Sequence, residues 1–112
     1  MAVRTFAAID VGSFELELGI YEMTYKTGIR RIDHIRHVIA LGKDTYSTGK
    51  ISYELVEEMC QVLEEFVQIM KSYKVKDYRA YATSAMREAH NRQIILDQIR
   101  VRTGLTVRII SN

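Results

Sequence analysis

Proline is absent from these 112 residues, and no stretch is biased toward a few residue types, so no tract reads as a linker between domains. The lone cysteine, Cys60, excludes an internal disulfide. Its place among helix-spaced apolar residues marks it as a small buried hydrophobe rather than a reactive thiol. No apolar run approaches the roughly 18 residues that a membrane helix needs, and the start lacks the basic, apolar and small-residue order of a secretory leader. The expectation is a cytoplasmic chain without a membrane partner. A net charge of only +2 does not mark the chain as a binder of DNA or RNA.

What is present suffices for one ordinary domain: 47% of the residues are hydrophobic and 27% charged, enough apolar material for a core. The charge is unevenly spread. Between Ser52 and Met70 stand Glu54, Glu57, Glu58, Glu64 and Glu65 with no basic residue. From Lys71 onward nine lysines and arginines face Asp77, Glu88 and Asp97, a balance that either favours an anionic ligand or makes a solvated basic surface.

Periodicity supplies the elements. Val3 to Asp10 reads as a short apolar strand. Glu15 to Tyr21 alternates, with Leu16, Leu18 and Ile20 on one face and Glu15, Glu17 and Gly19 on the other. A turn at Lys26-Thr27-Gly28 leads to a third strand over about 30–41, and the polar, glycine-bounded stretch 42–50 reads as a loop. Ser52 is the expected N-cap of a helix whose stripe is Leu55, Val56, Met59, Cys60, Leu63, Phe66, Val67 and Met70. Tyr78 to Ala82 follows as a strand. Asn91 is placed to cap a second helix running to about Arg102, with Ile94, Ile95 and Ile99 inward and Gly104 past its end; Leu105, Val107 and Ile109 form the last strand.

The resulting order, β-β-β-α-β-α-β, describes three antiparallel strands followed by two crossover units, an α/β arrangement with a five-stranded mixed sheet like that of a ribonuclease-H-like lobe. Two helices cover only part of such a sheet. Apolar surface should therefore remain for another element, a further domain or a second copy of the chain, and the abrupt stop after a strand points to a piece of a longer protein.

Two segments could carry chemistry. Asp10-Val11-Gly12-Ser13 lies between two strands and offers a glycine that tolerates positive φ, backbone N–H groups and a hydroxyl. Those are the parts of a phosphate-cradling nest, and equally of a plain hairpin turn. Ala82-Thr83-Ser84-Ala85-Met86-Arg87-Glu88-Ala89-His90-Asn91 follows another strand. Its small residues let backbone approach a ligand, its hydroxyls and helix-start amides suit an anion, and Arg87 can grip phosphate with two N–H groups, although Ser84 could instead cap a helix and Arg87 face water. His34 and His37, three apart on a strand, point to opposite faces and cannot share one metal ion.

"AAIDVGS", "ISYELVEEMCQVLEEF", "AYATSAMREAHN" and "TGLTVRIISN" together resemble, in matching order, the exopolyphosphatase and guanosine pentaphosphate phosphatase (Ppx/GppA) family. The resemblance implies that residues 1–112 are the first part of the N-terminal lobe of an actin-like fold. The family's two lobes close over a phosphate chain, and a divalent metal assists hydrolysis of the terminal phosphoanhydride. Carried onto this chain, Gly12 and Ser13 become the first phosphate loop, Thr83, Ser84 and Arg87 the second phosphate-contacting segment, and Asn91 its support. Asp10 is implied to hold a magnesium ion through water.

No catalytic base falls within the chain on this resemblance. The family's water-activating glutamate is expected just after Asn112, and the second glycine-rich phosphate loop further on, so the 112 residues alone are expected to lack turnover. One departure stands out: Phe14-Glu15 replaces the family's Asn-Ser. A carboxylate about 4 Å from a phosphate costs about 1 kcal/mol even in water, unless strand alternation turns Glu15 to the far face and leaves Phe14 at the loop mouth. The expected ligands are polyphosphate or guanosine pentaphosphate. The alternative is a divergent, non-catalytic module of the same fold that binds a polyanion or regulates a partner.

Overall fold

The computed structural model describes residues 3–110; Ser111 and Asn112, beside which the catalytic glutamate is expected, lie outside them. Strands β1 (Arg4–Val11), β2 (Glu15–Thr24) and β3 (Gly28–Val38) form an antiparallel meander. The chain then builds helices α1 (Leu41–Thr48) and α2 (Tyr53–Ser72), strand β4 (Asp77–Ala82), helices α3 (Ser84–Arg87) and α4 (Arg92–Thr103), and the short strand β5 (Arg108–Ile109). The sheet order is β3-β2-β1-β4-β5, with β4 parallel to β1 and β5 parallel to β4. The five-stranded mixed sheet and both crossovers are those read from periodicity.

α2 owes its place to its stripe. Val56, Met59, Cys60, Val62, Leu63, Phe66 and Met70 are buried against Ala7, Ile9, Val11, Leu16, Leu18 and Ile20 of the sheet, and truncating a residue such as Phe66 to Ala in a core of this kind costs about 3–5 kcal/mol. Ser52 caps the helix as expected, its hydroxyl accepting from the Leu55 N–H at 3.3 Å, and the Ser52 N–H in turn donates to the Asp44 carboxylate at 2.8 Å. Cys60 is fully buried, and burial pushes its thiol up from the ordinary value.

Four expectations are corrected. The stretch 42–50 is largely the helix α1, not a loop. It is held by tertiary contacts: its N-cap, Ala40, makes no side-chain cap, while the buried Thr45 hydroxyl donates to the Ala85 carbonyl at 2.8 Å. Ile94 is 63% exposed, and Ile95 and Ile99 are the buried residues of α4. Asn91 does not cap α4 with its side chain; the amide bridges the backbone N–H and carbonyl of Ile51 at 3.2 and 3.0 Å. The last strand pairs only over Arg108–Ile109.

Both α2 and α4 lie on one face of the sheet, and the other face carries no helix of the described chain. There the Phe6 and Tyr21 rings stack at 5.3 Å. Tyr21 lies over Gly19, where a Cβ would sit 2.8 Å from its ring and oblige the ring to shift.

Candidate functional site

Parallel pairing aligns Val11 at the end of β1 with Ala82 at the end of β4. The residues that leave those two strands therefore emerge side by side at the carboxyl edge of the sheet, where open α/β sheets bind ligands. Ser13 and Ser84, 71 residues apart in sequence, approach to 3.3 Å between their hydroxyl oxygens. The two segments singled out in the sequence thus meet at one corner.

The corner is rigidly supported. The Ser13 carbonyl accepts from the Gly42 N–H at 2.8 Å, the Phe14 carbonyl from the Ile39 N–H at 3.0 Å, and the Thr83 N–H donates to the Val11 carbonyl at 3.2 Å. Gly12 is not in the positive-φ region that the sequence allowed for it. Its glycine character has another cause: a Cβ would stand 3.0 Å from the Glu15 carbonyl oxygen, which accepts the Gly12 N–H at 3.0 Å. That amide is already engaged and is not a free donor to a phosphate.

Arg87 closes the four-residue helix α3 and donates from Nη1 to the Ile110 carbonyl at 2.7 Å. This contact ties α3 to the end of β5, whose continuation is held by the Ile110 N–H on the Ala82 carbonyl at 2.9 Å. The guanidinium thus stands at the same sheet edge as the serines with one of its N–H groups engaged. Thr83 precedes the helix in extended conformation and makes no side-chain cap. Asn91, through Ile51, fixes the segment that joins α1 to α2.

A residue that the sequence did not single out completes the corner. The Tyr46 hydroxyl of α1 lies 2.5 Å from Ser84 Oγ and, at the outer limit of hydrogen bonding, 3.4 Å from Ser13 Oγ. The Ser13 and then the Ser84 hydrogen bond hold its phenol below the ordinary value; the Arg87 charge acts the same way, against partial burial and the Glu88 charge. With α1 read as a loop, no periodicity pointed to this side chain.

The acidic residues around the first loop sort by strand alternation. Glu15 is on the bare face of the sheet, where Arg36 Nη2 and Nε donate to its carboxylate at 2.6 and 3.1 Å. This bond first of all keeps the Glu15 carboxyl below its usual range. Glu17, hydrogen-bonded to Glu15, is held above it, and His34 stands 3.7 Å from Glu17 on the same face. The anticipated repulsion of an anion by Glu15 is thus offset by its cation partner, and Phe14, 65% exposed, stands at the loop mouth. His37 points the other way, to Glu58 of α2 at 2.8 Å, so the two histidines occupy opposite faces as expected.

Asp10 shares the bare face with Glu17, its partner in the β1–β2 register. Although the residue is exposed, packing around its carboxyl removes water, and the Glu15 charge adds to the effect; together they raise its pKa. A carboxylate so placed fits a cation bound mainly through water. Among the described residues no three His, Cys, Asp or Glu side chains converge as a ready metal cage, and no helix is long and apolar enough to cross a membrane.

Comparison with known proteins identifies the family and the fold. The family model of the Ppx/GppA phosphatase family matches residues 20–112. Exopolyphosphatase 1 of Mycobacterium leprae is 28% identical over 103 residues, which are 91% of this chain and 30% of that protein. The crystal structure of an Aquifex aeolicus member of the Ppx/GppA family superposes with a TM-score of 0.93 at 29% identity, covering 97% of this chain and 35% of that one. An exopolyphosphatase structure from Cytophaga hutchinsonii, 24% identical, shares the fold with a TM-score of 0.89 over 96% of this chain and 34% of that one. The fold is the ribonuclease-H-like, actin-like one, and the chain spans about a third of the length of the relatives it matches.

Proposed function

Because the chain belongs to the Ppx/GppA phosphatase family, we propose that its Ser13–Ser84 corner forms one half of the phosphate clamp of a cytoplasmic phosphohydrolase that releases terminal phosphate from inorganic polyphosphate or guanosine pentaphosphate. The observation that carries the reading is the 3.3 Å approach of two serine hydroxyls from two parallel strand exits. In this role the Ser13 and Ser84 hydroxyls and the Ser84 amide donate to phosphoryl oxygens, while the Thr83 N–H stays on the Val11 carbonyl. Arg87 supplies the charge from the N–H groups that Ile110 does not engage. Held in place before the reaction, such donors stabilise the charge on the equatorial oxygens as water attacks in line.

Asp10 would hold a magnesium ion through its water shell, in keeping with the crowded carboxyl described above. Such an ion, when bound, neutralises charge on the phosphate chain. The base that activates water is proposed to follow Asn112, so the 112 residues bind but do not turn over. The open sheet face with Phe6 and Tyr21 is proposed to meet either the remaining lobe or a second copy.

The test is phosphate release, with magnesium, from both substrates by a full-length protein carrying this chain. Wild type is expected to be active and Arg87→Ala to lose activity by about tenfold or more with an unchanged circular dichroism spectrum. Equal release by the two removes Arg87 from the mechanism. One observation favours the alternative of a non-catalytic polyanion-binding module: Phe14 stands exposed at the loop mouth. Tight polyphosphate binding without any release would select it.

A further inference from the structure

Tyr46 is 55% exposed, so burial of its ring does not account for where its hydroxyl lies. The ring is instead seated by a close approach. A Cβ on Gly42 would come within 3.0 Å of Tyr46 Cε2 and within 3.0 Å of Ser13 Cβ, so only glycine lets α1 settle this near to both. One turn of α1 is anchored at the same time, through the Gly42 N–H to the Ser13 carbonyl at 2.8 Å and the Thr45 hydroxyl to the Ala85 carbonyl at 2.8 Å. The phenol oxygen is thereby fixed between two serines that come from different strand exits.

The geometry points to Tyr46 as a phosphate-contacting, specificity-determining residue, the third hydroxyl of a Ser13–Tyr46–Ser84 triangle that receives one phosphoryl oxygen. This rests on the proposed phosphohydrolase reading and deepens it. With sides of 3.3, 2.5 and 3.4 Å, the triangle is small enough for a single oxygen above its plane to accept from all three hydroxyls within ordinary distances. Each hydroxyl carries one proton that rotates to suit. Without an anion the three share protons among themselves; with one, all three turn outward. A phenol is a stronger donor than an alcohol.

Tripolyphosphate binding by the full chain, measured by titration calorimetry, tests the assignment with citrate as a polyanion that has no phosphoryl oxygen. Tyr46→Phe keeps the ring and removes only the hydroxyl. It is expected to weaken tripolyphosphate about tenfold while leaving citrate and the thermal midpoint unchanged; Tyr53→Phe, at an exposed position at the start of α2, is expected to behave as wild type. Tyr46→Ala is expected to weaken tripolyphosphate at least as much. If Tyr46→Phe matches wild type, or Tyr46→Ala binds more tightly, Tyr46 is a bystander or an obstruction and the assignment is overturned alone. If wild type does not bind tripolyphosphate, the phosphohydrolase reading itself fails and takes the assignment with it.

Discussion

The buried Thr45 hydroxyl donates to the Ala85 carbonyl at 2.8 Å, and this bond pins α1 against α3. The two helices carry Tyr46 and Ser84, so the bond sets the distance between two hydroxyls of the corner. Thr45→Val keeps the shape, removes the donor and strands a carbonyl away from water, an exchange that costs about 1–3 kcal/mol. Urea unfolding is expected to show that loss as a lower midpoint with an unchanged slope, accompanied by weaker tripolyphosphate binding. An unaltered midpoint would show that α1 is held by other contacts.

Arg36 neutralises Glu15 at the sheet face beside the first loop. Arg36→Gln frees that carboxylate and is expected to weaken tripolyphosphate binding at low salt. The difference should shrink at about 1 M salt, where the Debye length is about 3 Å. Adding Glu15→Gln to the same chain should restore wild-type affinity, because the uncompensated charge is then gone. If the single variant binds as wild type at low salt, Glu15 does not reach the anion.

Asp10 links stability to pH with a definite sign. Its folded-state pKa is raised, first by burial and then by Glu15, so ionisation is less favourable in the folded than in the unfolded chain. The residue therefore subtracts stability above its raised folded value. The penalty fades as pH falls and is gone below the unfolded aspartate value of about 3.9. Asp10→Asn is expected to melt higher than wild type at pH 7, with the gap closing in acid, and a full-length protein so altered should lose magnesium-dependent phosphate release. A lower melting temperature for the variant at pH 7 would contradict the sign.

Asn91 holds both backbone groups of the buried Ile51. Asn91→Ala leaves them unpaired, at a cost of about 1–3 kcal/mol, while Asn91→Asp sets an acceptor against the Ile51 carbonyl. Thermal unfolding should rank wild type above both. Parity of Asn91→Ala with wild type would mean that water replaces the amide at no cost.

Much of the architecture was legible because it is local. Leu16, Leu18 and Ile20 alternate, and Val56, Met59, Cys60, Leu63 and Phe66 recur at helical steps; a pleated strand and an α-helix each need that spacing to bury one face. The carbonyls that hold α1, by contrast, are supplied from elsewhere in the chain. Its sequence has a glycine at its second position and few large apolar residues, so its helicity depends on Ala85 and on the Asp44–Ser52 bond rather than on any repeat. Ile94 was misplaced for a related reason: three isoleucines lie near one stripe of α4, and only the packing angle against α2 decides which two turn inward.

By itself the sequence determined the α/β order, the core stripes and the residues of two candidate anion-binding segments, because those follow from periods of two and 3.6 and from residue chemistry. Only the tertiary structure decided that the segments meet, since the parallel register of Val11 on Ala82 is a contact between residues 71 apart in the chain. It also decided that Tyr46 joins them and that Glu15 is neutralised. Both depend on neighbours brought close by folding, Gly42 under the tyrosine ring and Arg36 across the strand pair, and no spacing along the chain encodes such distances.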